Sequence, residues 1–300
     1  MSAGRAEFGG RELTLTNLGK VLYPAASFAK RDVIDYYAAL APVILPHLAG
    51  RPLTVKRFPD GVEGKAFFEK HSPRHRPGWV ATAAVPSERR TSIDYTLVAE
   101  PATLVWLANL AALELHVPLG LVGDLACPTA VVFDLDPGAP ASIVDCCRVA
   151  AWLHGTFEQL GLVSFAKTSG AKGLQVYVPL GGAVTYAQTR HFAYSLATLI
   201  ERTEPELVVS RMTRALRPGK VLIDWSQNHE RKTTVCVYSL RARERPTVST
   251  PLRWEEVAAT LHSGDAQSLS FEAADVLARI DREGDLFAPL LTVTQSLPAI

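Results

Sequence analysis

The sequence predicts an α/β protein with mixed, largely antiparallel sheets, arranged as two lobes around a cleft. Three observations carry this expectation. Short apolar or alternating runs are bounded by turn residues, amphipathic stretches of helical period stand between several of them, and two apolar runs end on carboxylates. With 300 residues, 48% hydrophobic, the chain is long enough to bury a sizeable core. We read residues 1–300 as a single domain, with one lobe over about 1–120 and a second, carboxylate-bearing lobe over about 121–300.

The decisive run is Val131-Val132-Phe133-Asp134-Leu135-Asp136-Pro137-Gly138. In a strand, side chains alternate faces, so Asp134 and Asp136 share one side while Leu135 points into a core. Pro-Gly then turns the chain and leaves both carboxylates at an edge. Such a pair suits a hard divalent cation, although a bare Asp-x-Asp is more often a solvated strand end. Val221-Leu222-Ile223-Asp224 repeats the pattern, delivering Asp224 beside Trp225, Ser226, Gln227 and Asn228.

The remaining elements fall in order. Glu12–Thr16 reads as a strand, and 17–20 as a turn. A helix is expected from about Phe28 to Leu45, through Val33, Ile34, Tyr37, Leu40, Ala41 and Ile44. Asn17, Lys20 and Lys30 surround that turn and helix start, where backbone amides and lysines readily build an anion site; surface lysines fit the same pattern. Arg51–Phe58 reads as a basic strand carrying Lys56. Beyond a turn at Asp60-Gly61, Phe67 and Phe68 are adjacent and cannot both face one core in an extended chain. One exposed phenylalanine beside lysines would offer a stacking platform, and packing between two layers is the competing reading.

Thr103 to Leu115 is expected to be a helix, leaving His116 in the connection before the aspartate strand. Ala141–Leu160 reads as a helix and Leu162–Lys167 as a strand. Thr168-Ser169-Gly170-Ala171-Lys172-Gly173 then supplies flexible backbone, amides, a hydroxyl and a cation, the parts of a phosphate cradle. No helix follows it, so it is not a P-loop. A helix over Tyr186–Arg202, a basic turn with Arg217 and Lys220, and two short helices beyond Pro251 complete the chain.

Net charge is +1, so the whole chain argues neither for nor against an anionic partner. Basic residues gather locally, from Arg51 to Arg76 and from Arg211 to Arg245. The cysteines Cys127, Cys146, Cys147 and Cys236 have no Cys-x-x-Cys spacing, which argues against zinc and fits a reducing compartment. There is no signal core and no apolar run long enough to span a bilayer, so a cytoplasmic location without membrane contact is expected.

Three aspartates on two strands, with phosphate-binding parts between them and basic stretches on both sides, suggest metal-assisted phosphoryl or nucleotidyl transfer. At this point several motifs occur together in one order. They are Thr-Leu-Thr-Asn-x-x-Lys-Val-Leu-Tyr-Pro, Ala-Phe-Phe-Glu-Lys, Leu-Glu-x-His-Val-Pro, Phe-Asp-Leu-Asp-Pro, Thr-Ser-Gly-x-Lys-Gly-Leu and Lys-Val-x-x-Asp-Trp-Ser-Gln-Asn. Over nearly its whole length the chain resembles the polymerase domain of bacterial ligase D, in the archaeo-eukaryotic primase superfamily.

That resemblance implies a primase-polymerase that adds nucleotides, preferring ribonucleotides, to DNA 3′ ends during gap filling and non-homologous end joining. It implies a two-metal site of Mn2+ or Mg2+ on Asp134, Asp136 and Asp224. It places Lys56, His116, Ser169, Lys172, Gln175, Arg217 and Lys220 near an NTP or dNTP. Asn17, Lys20 and Lys30 would hold the 5′-phosphate of a DNA gap or break, and Phe67 and Phe68 would stack on template. Ku and a separate ATP-dependent DNA ligase are the implied partners. The chain lacks a Lys-x-Asp-Gly motif and so reads as a stand-alone polymerase. One departure stands out: Gln175 occupies the position of the family's usual His, and glutamine carries neither charge nor a mobile proton. Two other readings remain open. A phosphatase of the haloacid-dehalogenase type would use the first Asp as a covalent nucleophile, and a weakly active DNA-end-binding module would owe its weakness to Gln175.

Overall fold

A computed structural model describes residues 3–87, 90–182 and 184–298. The chain forms two compact units. The first comprises residues 1–118, 233–248 and 272–284, and the second comprises 119–232, 249–271 and 285–300.

The first unit opens with an antiparallel hairpin, β1 (Ala3–Phe8) and β2 (Arg11–Thr16), followed by the short pair β3 (Val21–Tyr23) and β4 (Phe28–Ala29). Helix α1 spans Lys30–Leu48, and Asp32 in its first turn accepts the Ala29 N–H at 2.6 Å. Its buried stripe includes Val33, Ile34, Tyr37, Leu40, Ala41 and Ile44, which is the helical period legible in the sequence. Strands β5 (Thr54–Arg57) and β6 (Phe67–Glu69) pair antiparallel. A second hairpin, β7 (Thr82–Ser87) and β8 (Arg90–Thr96), leads to α2 (Pro101–Asn109) and β9 (Ala112–Val117).

The expected helix over 103–115 is therefore corrected. It ends at Asn109, whose side chain accepts the Thr16 N–H and donates to the Thr14 carbonyl, fixing the helix end to β2. Ala111 takes a left-handed turn at φ +57°, and the chain leaves as a strand paired with β5. Leu113 and Leu115 alternate with Glu114 and His116, and this period of two prevails over helix propensity once a partner strand is present. His116 thus lies on a strand rather than in a connection.

The second unit is built on a six-stranded sheet. Strand β10 (Ala130–Pro137) leads into α3 (Ile143–Gln159), capped by Ser142 and Asp145. Strands β11 (Phe165–Thr168) and β12 (Leu174–Pro179) form the next hairpin, and α4 (Tyr186–Thr203) follows. Strands β13 (Val208–Val209) and β14 (Val221–Asp224) close that stretch. Strand β15 (Thr234–Val235) belongs to the first unit and pairs there with β9, giving that unit's order β15-β9-β5-β6. Strand β16 (Pro251–Leu252) joins the second unit's sheet, whose order is β13-β14-β10-β12-β11-β16. Every pairing in it is antiparallel except β13 with β14. Helix α5 (Trp254–Ser263) belongs to the second unit and α6 (Ala273–Glu283) to the first.

One face of the β10 sheet is a dry core. Val131, Phe133 and Leu135 pack there against Phe157 of α3 and Phe192 of α4, with the Phe133 and Phe157 rings 5.4 Å apart. The other face is left for polar chemistry. Where β14 ends, the buried Asn228 side chain takes over the ladder. It accepts the Val132 N–H at 2.9 Å and donates to the Val132 carbonyl at 2.7 Å, so the first half of β10 stays paired.

Candidate active site and anion-binding face

The central row of the site follows from register alone. Lys167 of β11, Gln175 of β12, Asp134 of β10 and Asp224 of β14 are direct partners across four neighbouring strands, so their side chains share one face. Asp136, two residues beyond Asp134, joins that face and is exposed, while Leu135 between them is fully buried. The three aspartates named from the sequence are thus brought together on one sheet face.

Each carboxylate has distinct surroundings. Gln175 Nε2 donates to Asp134 Oδ1 at 3.0 Å, and the Tyr177 hydroxyl donates to Gln175 Oε1 at 3.1 Å. Burial and the neighbouring Asp136 carboxylate push Asp134 up to about 7; Gln175 and Lys167 pull it down, and Asp224 pushes it up further. Asp224 accepts from the Ser226 N–H at 3.0 Å and from Gln227 Nε2 at 3.2 Å. Lys232 donates to the Ser226 hydroxyl. Among the described residues, no three His, Cys, Asp or Glu side chains converge as a ready ligand set. The donors are nevertheless hard carboxylate oxygens, which fit Mg2+ or Mn2+ better than zinc. Mutual repulsion at Asp134 is what an added cation would relieve.

The loops beside the row are tightly built. A Cβ on Gly173 would stand 2.0 Å from the Leu135 carbonyl, and one on Gly138 would stand 2.1 Å from that of Arg217. These glycines allow the 168–174 and 217–220 loops to close on β10. Ser169 Oγ accepts the Ala171 and Gly173 N–H groups at 3.2 and 3.1 Å. Those amides are therefore spent inside the loop rather than left free for a phosphate as the sequence suggested. Lys172 is exposed. Arg217 donates to the Met212 carbonyl at 2.7 Å, and Lys220 to that of Pro205. Gln175, expected to face a phosphate, is buried and engaged with Asp134.

The first unit carries its own cationic face. Lys30 Nζ, nearly buried, donates to the Thr16 carbonyl at 2.7 Å. Burial, then Lys20, then Arg57 pull its ammonium down to about 8. Lys20 pairs with the exposed Asp60 at 2.8 Å, and exposed Asn17 takes a left-handed turn at φ +55°. Lys20 and Lys30 therefore lie close enough to repel each other, as an anion site requires. Arg57 acts on Lys30 as well, while its guanidinium is held by Glu69 at 3.2 Å and by the Leu110 carbonyl at 2.9 Å; its signal in the sequence was its place on the strand beside Lys56.

Phe67 and Phe68, on edge strand β6, point to opposite faces, and both are exposed, at 43% and 60%. Arg57 lies over the Phe67 ring and Lys56 over the Phe68 ring, with the cations 5.3 and 5.5 Å from the centroids. His116 makes an edge contact with Phe68 at 5.7 Å and donates from Nε2 to Glu114 at 2.9 Å. Glu114 is buried and also faces Arg241 at 3.5 Å. Burial raises its carboxyl, but His116, Arg241 and the Ala242 N–H outweigh this and hold it down at about 2. Glu114 would have been found had Leu113–Val117 been read with a period of two.

Fold and sequence together place the chain in a known family of α/β domains. The chain belongs to the family described as LigD, primase-polymerase domain, whose pattern it matches over residues 29–287. It is 41% identical over 278 residues to the multifunctional non-homologous end joining protein LigD of Mycolicibacterium smegmatis, covering 92% of this chain and 36% of the relative. The Mycobacterium tuberculosis H37Rv relative is 42% identical over 288 residues, covering 93% and 37%. The bifunctional LigD of Bacillus subtilis is 32% identical over 274 residues, covering 91% and 43%. The chain thus spans less than half the length of these curated relatives. Among solved structures, the polymerase domain of Mycobacterium tuberculosis ligase D in complex with DNA matches with a TM-score of 0.86 and 40% identity. That match covers 94% of this chain and 99% of the other. No helix among the described residues is long and apolar enough to cross a membrane.

Proposed function

We propose that this chain adds nucleotides to DNA 3′ ends at gaps and breaks, in support of end joining. The observation that carries the reading is the row Gln175–Asp134–Asp224, with Asp136 on the same face and core residues behind it. Asp134, Asp136 and Asp224 are the residues that would hold Mg2+ or Mn2+. When bound, such ions polarise the phosphoryl group and neutralise charge on the attacking and leaving oxygens. Gln175 orients Asp134, and Ser226 with Gln227 orients Asp224, so the chain's own contribution is positioning. Lys172, Arg217 and Lys220 supply cations on the loops beside the row, and Ser169 shapes the first of those loops.

In the first unit, Asn17, Lys20 and Lys30, joined by Arg57, suit a terminal 5′-phosphate. Lys56 and His116 flank the exposed Phe68 ring, a face suited to a nucleotide, while Phe67 and Phe68 offer template stacking. The relatives are named for non-homologous end joining, which supports an end-joining setting; Ku and a separate DNA ligase are the partners proposed for it. Family membership disfavours the phosphatase reading, and the hydrogen bonds of Gln175 support an intact carboxylate row rather than a degenerate one.

Primer extension on a gapped duplex tests the reading, with ribonucleotides and deoxynucleotides compared under Mg2+ and Mn2+. Metal-dependent extension, stronger with ribonucleotides, is expected. Absence of extension under every condition would overturn it.

A further inference from the structure

Helix α4 presents a second, outward face that the carboxylate row does not use. Thr189, Phe192, Ala193, Leu196, Ala197 and Ile200 are buried toward the core. Ala187, Arg190, His191 and Tyr194 recur at intervals of three and four residues on the opposite side. Together with Trp225 they line a cavity of about 450 Å³, within the range of roughly 300–1,000 Å³ typical of small-molecule sites.

Its walls are rigid where rings are needed. The Trp225 indole donates from Nε1 to the Ser210 carbonyl at 2.8 Å, which fixes the ring. Tyr194 meets Trp225 edge-on at 4.9 Å and is still 46% exposed. Trp225 is half-buried against the core, so Tyr194 is the ring that solvent reaches most. Arg190 is the charged side chain in the lining of this cavity. Arg190 and His191 are exposed, and neither makes an ion pair or hydrogen bond with a described residue. No carboxylate lines the cavity. An exposed tyrosine ring set on a half-buried indole, with an unpaired guanidinium and an imidazole beside it, matches a flat base carrying a phosphate.

We infer that Tyr194, Trp225, Arg190 and His191 form a binding site for an unpaired nucleotide of single-stranded DNA. The site is distinct from the carboxylate row. Asp224 faces that row, and Trp225, which follows it in the chain, serves the other side of the sheet, where α4 packs. Taking the strand as DNA rather than RNA rests on the proposed function; the stacking and charge argument does not.

The test measures binding of 3′-labelled (dT)12 to the full chain as salt is varied. Tyr194→Ala should weaken affinity about tenfold, since base–aromatic stacking contributes roughly 1–3 kcal/mol per base. Arg190→Gln should also weaken it and flatten the log-affinity against log-salt slope by about 0.7. A 12-mer carrying 5-iododeoxyuridine should cross-link under near-ultraviolet light to the peptide containing Tyr194 or Trp225. Extension of a gapped primer should change less than twofold in both variants. Unchanged oligonucleotide affinity in both variants, with cross-links elsewhere, would overturn the proposal; a pocket serving a protein segment would give that result. Tighter binding of (rU)12 than of (dT)12 would overturn the DNA assignment. Failure of the unmutated chain to extend any primer, with these binding effects intact, would sink the polymerase reading and leave the pocket standing.

Discussion

Gln175 donates to Asp134 at 3.0 Å while accepting from the Tyr177 hydroxyl at 3.1 Å. The amide thus satisfies two polar groups at once, one of them a carboxylate crowded by two others. Gln175→Ala should leave both without that partner and cost about 1–3 kcal/mol of stability. Gln175→His should cost less than 1 kcal/mol, because a neutral imidazole can donate to Asp134 and accept from Tyr177. Denaturant unfolding of the two variants checks this. Equal losses would show that the bridge carries no weight.

Glu114 gives a stability signature in acid. Its carboxyl is held at about 2 in the folded chain, against an ordinary value of about 4.3. The stabilisation is fully present above the unfolded value and is lost as pH falls from about 4.3 to about 2. Unfolding free energy should drop by up to about 3 kcal/mol across that window. Glu114→Gln should remove this part of the slope. A variant with the same acid limb as the unmutated chain would contradict the assignment.

Lys30 should make the end preference sensitive to alkali. With its ammonium at about 8 in the free chain, the advantage of a 5′-phosphate over a 5′-hydroxyl should decline above that pH. A bound phosphate should draw a proton onto Lys30 near pH 8. Lys30→Met and Lys20→Ala should each reduce the preference, and each lost phosphate contact should flatten the salt slope by about 0.9. Binding isotherms on paired duplexes differing only at the 5′ end provide the measurement. Equal affinity for both ends in the unmutated chain would remove the phosphate assignment.

Gly173 tests the closeness of the loop to the aspartate strand. A Cβ there meets the Leu135 carbonyl at 2.0 Å, so Gly173→Ala must displace backbone beside Asp134 and Asp136. Incorporation should fall at least tenfold, and stability should fall by about 1–3 kcal/mol. Gly182→Ala is a control: no atom stands within 4 Å, although its φ of +80° is itself strained. If Gly173→Ala loses no more stability or activity than this control, the close approach does not matter.

Much of this was legible in the sequence, for physical reasons that particular residues show. Asp134, Leu135 and Asp136 declared a strand with one dry face, and the register then placed Asp224 opposite Asp134. The amphipathic period of α4 was equally plain. Leu113–Val117 misled because a short apolar run satisfies helix and strand periods alike until its partner strand is known. The burial of Lys30 could not be read either, since it depends on a carbonyl fourteen residues earlier in the chain. Nor could the turn of the Ser169 loop amides toward their own serine, because composition does not say which way an N–H points.

The central claim is that Asp134, Asp136 and Asp224 form one catalytic row, and nucleotide incorporation by Asp134→Asn and Asp224→Asn tests it most directly. The substitutions keep side-chain volume and replace one carboxylate oxygen with an amide nitrogen in each. On a gapped, 5′-phosphorylated duplex, each should reduce incorporation by at least a hundredfold while duplex affinity stays within about threefold, since the first unit's cations are untouched. Incorporation within a few fold of the unmutated chain in either variant would contradict the account.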